Sequence, residues 1–153
     1  MFIRWFQFGV FNPILRVHGT RSTNQNELWS YGTEAQTLLA SYDTCRYRLL
    51  PYIYSLAWMA TSQGYTPMRG LIMDFRTDEH SATIGDQFMF GPAFLVNPVT
   101  DPGVDSRRVY LPKAKWHDFW SGSSIKGPRM VEAAAPIDKL PLFVRAEIGR
   151  AHV

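Results

Sequence analysis

The chain has 153 residues, of which 46% are hydrophobic and 19% charged, and its formal net charge is +3. This length suffices for one domain with a sizeable core or for parts of two domains. The cations are scattered rather than gathered in a basic stripe, which argues against nucleic acid as a partner. No apolar run approaches the roughly 18 residues of a membrane-spanning helix, so the sequence also predicts no membrane span.

Residues 4–19 form the most informative segment of the chain. We interpret it as a helical approach followed by a buried strand that carries Arg16 and His18 at its tip. Because residues two apart on a strand point the same way, these two side chains are expected to share a face. Gly19 then ends the strand. Polar groups at the carboxyl end of a buried parallel strand are typical of the active sites of (β/α)8 barrels.

The same segment is rich in aromatic side chains, namely Trp5, Phe6, Phe8 and Phe11. They resemble a platform for stacking on a ligand, but aromatic side chains at this density are more typical of a hydrophobic core, and we expect core packing. The polar segment 20–32 follows and reads as a loop. It contains Trp29 and Tyr31, which are candidates for residues that flank a substrate, because barrel active sites are built from such loops.

A helix is predicted next, beginning with Thr33 and Gln36, whose spacing is that of a capping box. Its apolar stripe consists of Leu38, Tyr42, Cys45 and Leu49. Cys45, the one cysteine, excludes an internal disulfide and is expected to pack in the core. Pro51 should kink the helix or open a second helical segment. Gly64 is expected to end the helix and to mark the domain boundary.

Beyond residue 65 the pattern changes to short apolar runs separated by Gly and Pro, which favours an antiparallel β-sandwich. The predicted strands are 87–90, 93–97, 108–111, 116–120, 130–133 and 142–144. Acidic residues and a histidine cluster at Asp74, Asp78, Glu79, His80 and Asp86. Their spacing fits no metal-ligand motif, so we predict solvated loop charges and ion pairs rather than a metal site. Asp86 is expected to fix the sandwich against the barrel.

Several blocks together resemble glycoside hydrolase family 31, the retaining α-glucosidases and α-xylosidases. The blocks are RWFQFGVFNPILRVHG (4–19), RYRLLPYIYSLA (46–57), DQFMFGPA (86–93), VYLP (109–112), WHDFWSG (116–122) and PLFVRA (141–146). The resemblance covers nearly all of residues 4–146. The amino-acid sequences of segments 11–20 and 65–69 resemble bacterial α-xylosidases more than α-glucosidases.

The resemblance implies the C-terminal end of a (β/α)8 barrel followed by an antiparallel β-sandwich, in an incomplete chain of α/β class. Residues 1–64 would supply the last strand, loop and helix of the catalytic barrel, and residues 65–146 a truncated proximal C-terminal sandwich domain. The implied substrate is an α-linked oligosaccharide or glycoside, and no cofactor or catalytic metal is implied.

The resemblance also implies catalysis by double displacement with two aspartates, both upstream of this chain, so no catalytic residue is assigned here. His18 matches the family histidine that lines the subsite of the cleaved sugar, and its imidazole can bind sugar hydroxyls. Arg16 matches an arginine that we expect to support the substrate-binding residues, paired with an upstream carboxylate.

Two alternatives to an α-xylosidase remain open. One is an α-glucosidase of the same family. The other belongs to a different class, a non-catalytic carbohydrate-binding or structural β-sandwich module with a helical extension. The apolar character of residues 5–15 argues against this module, because one barrel strand alone would expose a large apolar patch.

Both ends of the chain suggest truncation. Residues 147–153, EIGRAHV, can be back-translated into a string that matches a widely used sequencing adapter. We therefore expect the reading frame to run into adapter sequence after Ala146. The resemblance likewise places most of the barrel before Met1.

Overall fold

The computed structural model describes residues 1–19 and 26–146. Part of the predicted loop 20–32 and the tail 147–153 interpreted as adapter sequence therefore lie outside the described residues. The chain forms two compact units, Met1–Tyr65 and Thr66–Val153. Within the described ranges, none of the helices has the length and apolar character needed to cross a membrane.

The first unit is helical. Its elements are α1 (Phe2–Val10), a 3₁₀ turn (Leu28–Tyr31), α2 (Thr33–Arg48) and α3 (Leu50–Gln63). The strand predicted at the end of segment 4–19 was wrong, because residues 15–19 form neither helix nor strand. A parallel strand needs neighbouring strands for its backbone hydrogen bonds. The described part of this unit contains no strand that could pair with it.

The long helix after residue 32 is confirmed, with a break where Pro51 was expected to act. Pro51 lies in the first turn of α3, where its missing N–H costs no helical hydrogen bond. Gly64 ends α3 in the left-handed conformation, with φ of 66°, as predicted. The capping box was wrong. Gly32 is the N-cap of α2 without a side-chain cap, and the Thr33 hydroxyl makes no cap bond.

The second unit is mainly antiparallel β structure. Its elements are β1 (Met68–Gly70), α4 (Leu71–Asp74), α5 (Glu79–Thr83), β2 (Phe88–Phe90), β3 (Phe94–Val96), β4 (Ser106–Leu111), β5 (Lys115–Asp118), β6 (Ser124–Lys126), β7 (Arg129–Ala134) and β8 (Leu142–Arg145). All six predicted strands are present within a few residues of their expected bounds. The strands β1 and β6 and the short helices α4 and α5 were not predicted.

The strands of the second unit form two sheets around one core. Six of them follow the order β1-β2-β3-β8-β5-β6, while β4 and β7 form a separate pair. The core cluster draws Met89, Leu95 and Trp116 from the larger sheet and Val109 and Leu111 from the smaller one. Trp116 is fully buried, and its indole N–H donates to the Pro112 carbonyl at 2.9 Å. Burial of these side chains therefore holds the two sheets together.

Polar contacts tie β4 to the segment before β2. The buried Gln87 amide accepts from the Tyr110 N–H and donates to the Tyr110 carbonyl, both at 2.8 Å. Asp86 pairs with Arg107 at 2.5 Å, and Arg107 also donates to the Pro98 carbonyl. The described partner of Asp86 thus lies in its own unit rather than in the first one.

Gly127 offers a test of this packing. A Cβ at Gly127 would lie 2.6 Å from the Leu111 carbonyl oxygen and also against the Pro112 carbonyl. Gly127→Ala should therefore lower the free energy of unfolding by about 1–3 kcal/mol, because backbone atoms would have to move. The measurement is urea unfolding of the purified protein.

The matched control is Gly85→Ala, since a Cβ at Gly85 meets nothing within 4 Å. This variant should stay within about 0.5 kcal/mol of the wild type. Equal effects of the two substitutions would contradict the close approach at Gly127.

Candidate functional site

The helix α1 separates its aromatic side chains between a buried and an exposed face. Phe6 and the following Phe11 are buried, as expected of core residues. Trp5, in contrast, is 63% exposed and meets Phe8 edge-on, with ring centroids 6.0 Å apart. The expectation that all four aromatics pack in the core was therefore wrong for Trp5. On a helix, adjacent residues point about 100° apart, and here Phe6 lies on the buried face whereas Trp5 lies on the exposed one.

The chain turns sharply where α1 ends. The Phe11 and Asn12 N–H groups donate to the carbonyls of Phe8 and Gly9, each at 3.1 Å. The returning segment passes close to Gly9, since a Cβ there would lie 2.7 Å from Leu15 Cδ1 at the end of its flexible side chain. This turn directs residues 14–18 alongside the helix that precedes them.

The turn is held from the other helix by Arg46 of α2. Its guanidinium donates to the carbonyls of Val10 and Pro13, at 2.7 and 2.8 Å, and also to the carbonyl of Asn12. Partial burial lowers the pKa of the Arg46 guanidinium from its ordinary value. The group nevertheless stays a cation at physiological pH, since an arginine pKa lies far above that range.

A cleft of about 270 Å³ lies between α1 and the segment that follows it. This volume is close to the lower end of the range of about 300–1,000 Å³ that is usual for small-molecule sites. The lining residues are Phe2, Trp5, Phe6, Phe8, Gly9, Asn12, Ile14, Leu15, Arg16, Val17, His18 and Asn26. The Oδ1 atom of Asn12 is buried and has no hydrogen-bond partner among the described residues. The cleft thus combines aromatic walls with a few polar groups, as ligand sites do.

The structure brings the two predicted site residues, Arg16 and His18, into contact. Arg16 Nη2 lies 3.3 Å from His18 Nδ1, and both side chains are exposed. A guanidinium can only donate, so Nδ1 must be the acceptor of this hydrogen bond. The neutral imidazole then carries its proton on Nε2, which makes Nε2 a hydrogen-bond donor. The expected partner of Arg16 was an upstream carboxylate, whereas its described partner is His18.

The loop candidate Tyr31 contributes to the site by binding Asn26, which lines the cleft. Its hydroxyl donates to Asn26 Oδ1 at 2.8 Å, and its ring stacks on Phe2 with centroids 4.0 Å apart. Because Oδ1 is occupied in this way, the Asn26 amide N–H groups are oriented away from Tyr31. Trp29, the other loop candidate, is exposed and does not line the cleft.

Outside the cleft, the sequence singled out Cys45 and the acidic cluster. Burial raises the pKa of the half-buried Cys45 thiol, so the group stays protonated and unreactive at neutral pH.

In the acidic cluster, Asp78 caps α5 by accepting from the His80 N–H, and both its oxygens accept from the Tyr110 hydroxyl, at 3.0 and 2.8 Å. Asp74 pairs with Arg69 at 2.9 Å. In the part of the chain that is described, no three histidine, cysteine, aspartate or glutamate side chains form a cluster that could hold a metal ion.

Family models match both units of the chain. The Glycosyl hydrolases family 31 TIM-barrel domain matches residues 1–56, and the Glycosyl hydrolase family 31 C-terminal domain matches residues 64–148. The chain belongs to glycoside hydrolase family 31. The cleft, with Arg16 and His18, therefore lies in the part of this family 31 chain that matches the barrel domain. The resemblance inferred from the sequence blocks is confirmed.

Relatives within family 31 include xylosidases and glucosidases. The chain is 50% identical over 147 residues to an alpha-xylosidase of Saccharolobus solfataricus, covering 95% of this chain and 20% of that protein. It is 31% identical over 142 residues to alpha-glucosidase 2 of Bacillus thermoamyloliquefaciens, covering 93% of this chain and 18% of that protein. The chain thus spans about a fifth of the length of these family 31 relatives.

A solved family 31 structure has the same fold as this chain. It is a GH31 alpha-xylosidase from a soil metagenome complexed with xylose, 35% identical, with a TM-score of 0.92. The match covers 96% of this chain and 25% of that one.

The Asp78–Tyr110 contact predicts a pH dependence of stability. Burial and the neighbouring Asp78 carboxylate raise the pKa of Tyr110 to about 12. Because the unfolded tyrosine ionises near pH 10, the contact stabilises the fold fully below about pH 10. That stabilisation is lost as the pH rises from about 10 to about 12. Urea unfolding should therefore show Tyr110→Phe to be less stable than the wild type at about pH 9, with a difference that shrinks towards pH 12.

The matched control for Tyr110→Phe is Tyr54→Phe, because Tyr54 is 80% exposed. Its difference from the wild type at about pH 9 should be small, because an exposed hydroxyl contributes little to stability. A Tyr110→Phe difference that is independent of pH would contradict the assigned titration.

Proposed function

We propose that the protein carrying this chain is a retaining α-glycoside hydrolase, an α-xylosidase that releases terminal α-xylosyl residues. The observation that carries the proposal is the Arg16–His18 contact in the lining of the cleft, within the family 31 barrel match. The proposed substrate is an α-linked oligosaccharide or glycoside whose terminal sugar sits against this lining.

His18 is proposed to bind the terminal sugar. With Nδ1 accepting from Arg16, the Nε2–H group is available as a donor to a sugar hydroxyl. Arg16 then supports His18 by selecting this tautomer and orienting the ring. A site built to hydrogen-bond a hydroxyl discriminates strongly, because an unmatched substrate leaves its polar groups unpaired.

The two carboxylates of the reaction are proposed to lie upstream of residue 1. The described lining of the cleft includes neither Asp nor Glu, so these residues supply no nucleophile and no acid. In double displacement, one carboxylate attacks the anomeric carbon while the other, as an acid, protonates the departing oxygen. Water then hydrolyses the covalent glycosyl-enzyme, activated by the same residue acting as a base.

The architecture proposed around the site is the end of a (β/α)8 barrel followed by a β-sandwich. The match of residues 1–56 to the barrel domain supports the first part. The shared core of the two antiparallel sheets supports the second. The match to a catalytic barrel also disfavours the stand-alone binding module considered above.

Preference for xylosides over glucosides is supported by the higher identity to the Saccharolobus alpha-xylosidase, 50% against 31% for the Bacillus alpha-glucosidase. The two substrates differ by one CH2OH group. A difference of this size is worth about 1–3 kcal/mol in a pocket that fits the smaller sugar. An α-glucosidase is therefore the second candidate function.

Substitution of His18 tests the proposed sugar contact. In a protein in which an upstream family 31 segment completes the barrel that residues 1–56 end, His18→Ala should lower kcat/KM on an aryl α-xyloside by about 10²–10³-fold, because a hydrogen bond to the sugar is lost. Initial rates at subsaturating substrate measure this change.

A matched pair of variants separates the two ring nitrogens of His18. The amide of His18→Gln places a donor near the position of Nε2, whereas that of His18→Asn places one near Nδ1. The Gln variant should retain about tenfold more activity than the Asn variant. Equal activities, or a fully active Ala variant, would refute the role given to Nε2.

Substrate choice and stereochemistry are measured on the same protein. The ratio of kcat/KM for aryl α-xyloside to that for aryl α-glucoside should exceed about 10. The first sugar seen by NMR should be the α-anomer, because double displacement retains configuration. A ratio below 1 would favour the α-glucosidase, and a β-anomer as first product would exclude the retaining mechanism.

A further inference from the structure

Arg46 makes long-range polar contacts within the first unit. It belongs to α2, yet its guanidinium donates to three backbone carbonyls that lie 33–36 residues earlier in the chain. Those carbonyls belong to Val10, Asn12 and Pro13, which end α1 and form the turn after it. Sequence reasoning assigned no role to this arginine.

The three acceptors fix the direction in which the chain leaves α1. The last carbonyls of a helix have no partner within the helix, and that of Val10 is one of them. The planar guanidinium presents several N–H donors in a rigid fork, so it can bind acceptors that point in different directions. Nη1 serves Val10 and Asn12, and Nη2 serves Pro13.

The segment that carries His18 begins at the last of these carbonyls. Pro13 is followed directly by residues 14–18, which line the cleft. His18 lies beyond the turn and is exposed. Its described side-chain partner is Arg16, which belongs to the same segment. A shift of the turn would therefore carry Arg16 and His18 together, with their mutual contact unchanged.

We propose that Arg46 is a positioning residue for sugar binding, which places His18 in the cleft by holding the Val10, Asn12 and Pro13 carbonyls. This inference rests on the proposed function, since it assigns Arg46 an effect on the same sugar contact. Displacement of a binding group by about 1 Å can cost about 100-fold in rate. Loss of the Arg46 contacts should therefore change catalysis as well as stability.

The test uses the protein in which an upstream family 31 segment completes the barrel that residues 1–56 end. Arg46→Met removes the donors and retains much of the side-chain length, whereas Arg46→Lys retains the charge but not the fork. Arg46→Met should lower kcat/KM on an aryl α-xyloside by about 10–100-fold, and the Lys variant should recover part of that loss. Each rate is divided by the concentration of folded enzyme, which is determined by circular dichroism.

A double-mutant cycle with His18→Ala separates positioning from simple support of the fold. If Arg46 acts through His18, Arg46→Met in the His18→Ala background should cost no more than about 3-fold. The relative changes in kcat and in KM should also be similar in the single variants Arg46→Met and His18→Ala. Arg48→Met is the control on the same helix, because Arg48 is exposed, and it should leave kcat/KM within about 2-fold of the wild type.

The outcomes distinguish this inference from the proposed function. Additive effects of Arg46→Met and His18→Ala, or a loss of thermal stability without a loss of kcat/KM, would overturn the role of Arg46 alone. An Arg48→Met variant as impaired as Arg46→Met would do the same. Absence of wild-type α-glycosidase turnover, or a fully active His18→Ala variant, would overturn the proposed function and the role of Arg46 with it.

Discussion

The need to satisfy backbone carbonyls at the end of α1 shapes the whole first unit. A helix leaves its last carbonyls without partners, and here the turn and Arg46 supply them. The same bonds link α2 to the end of α1, after which residues 14–18 line the cleft. The position of the candidate sugar-binding residues thus follows from main-chain hydrogen bonding more than from their own side-chain contacts.

The second unit depends on a different constraint, the burial of apolar side chains between two antiparallel sheets. The larger sheet contributes Trp116 and Phe143 to the core, and the smaller one contributes Val109. Polar groups within this unit are mostly paired with each other, as in Asp78–Tyr110 and Asp86–Arg107. The acidic cluster noted in the sequence therefore serves local structure, in keeping with the expectation of ion pairs.

The sequence predicted those elements whose signals are local. Six strands were found because each is an apolar run bounded by turn residues. The missed strands β1 and β6 are the two edges of the large sheet, only three residues long and partly exposed, so they lack such a run. The strand expected before Gly19 has an apolar run but does not form in this structure. Strand formation also depends on neighbouring strands, which a local pattern does not specify.

The sequence named Arg16 and His18 as site residues, and this role stays a prediction. Arg16 and His18 were expected on one face of a strand, whereas the structure has no strand there and brings the two side chains within 3.3 Å on an irregular segment. Arg46 was missed although a signal exists. It lies four residues after Tyr42 and seven after Leu39, both buried, so it continues the buried stripe of α2. An arginine in such a stripe predicts a polar partner inside the fold, and a helix end is one source of acceptors.

The side chain of Gln87 has a consequence for association between molecules. A sheet of two strands exposes unpaired N–H and C=O groups along each outer edge, and such an edge can recruit a strand from another chain. Through its amide, Gln87 occupies both backbone groups of Tyr110, as a neighbouring strand would. One side chain thereby occupies the β4 edge near its C-terminal end, where a strand from another molecule would otherwise pair.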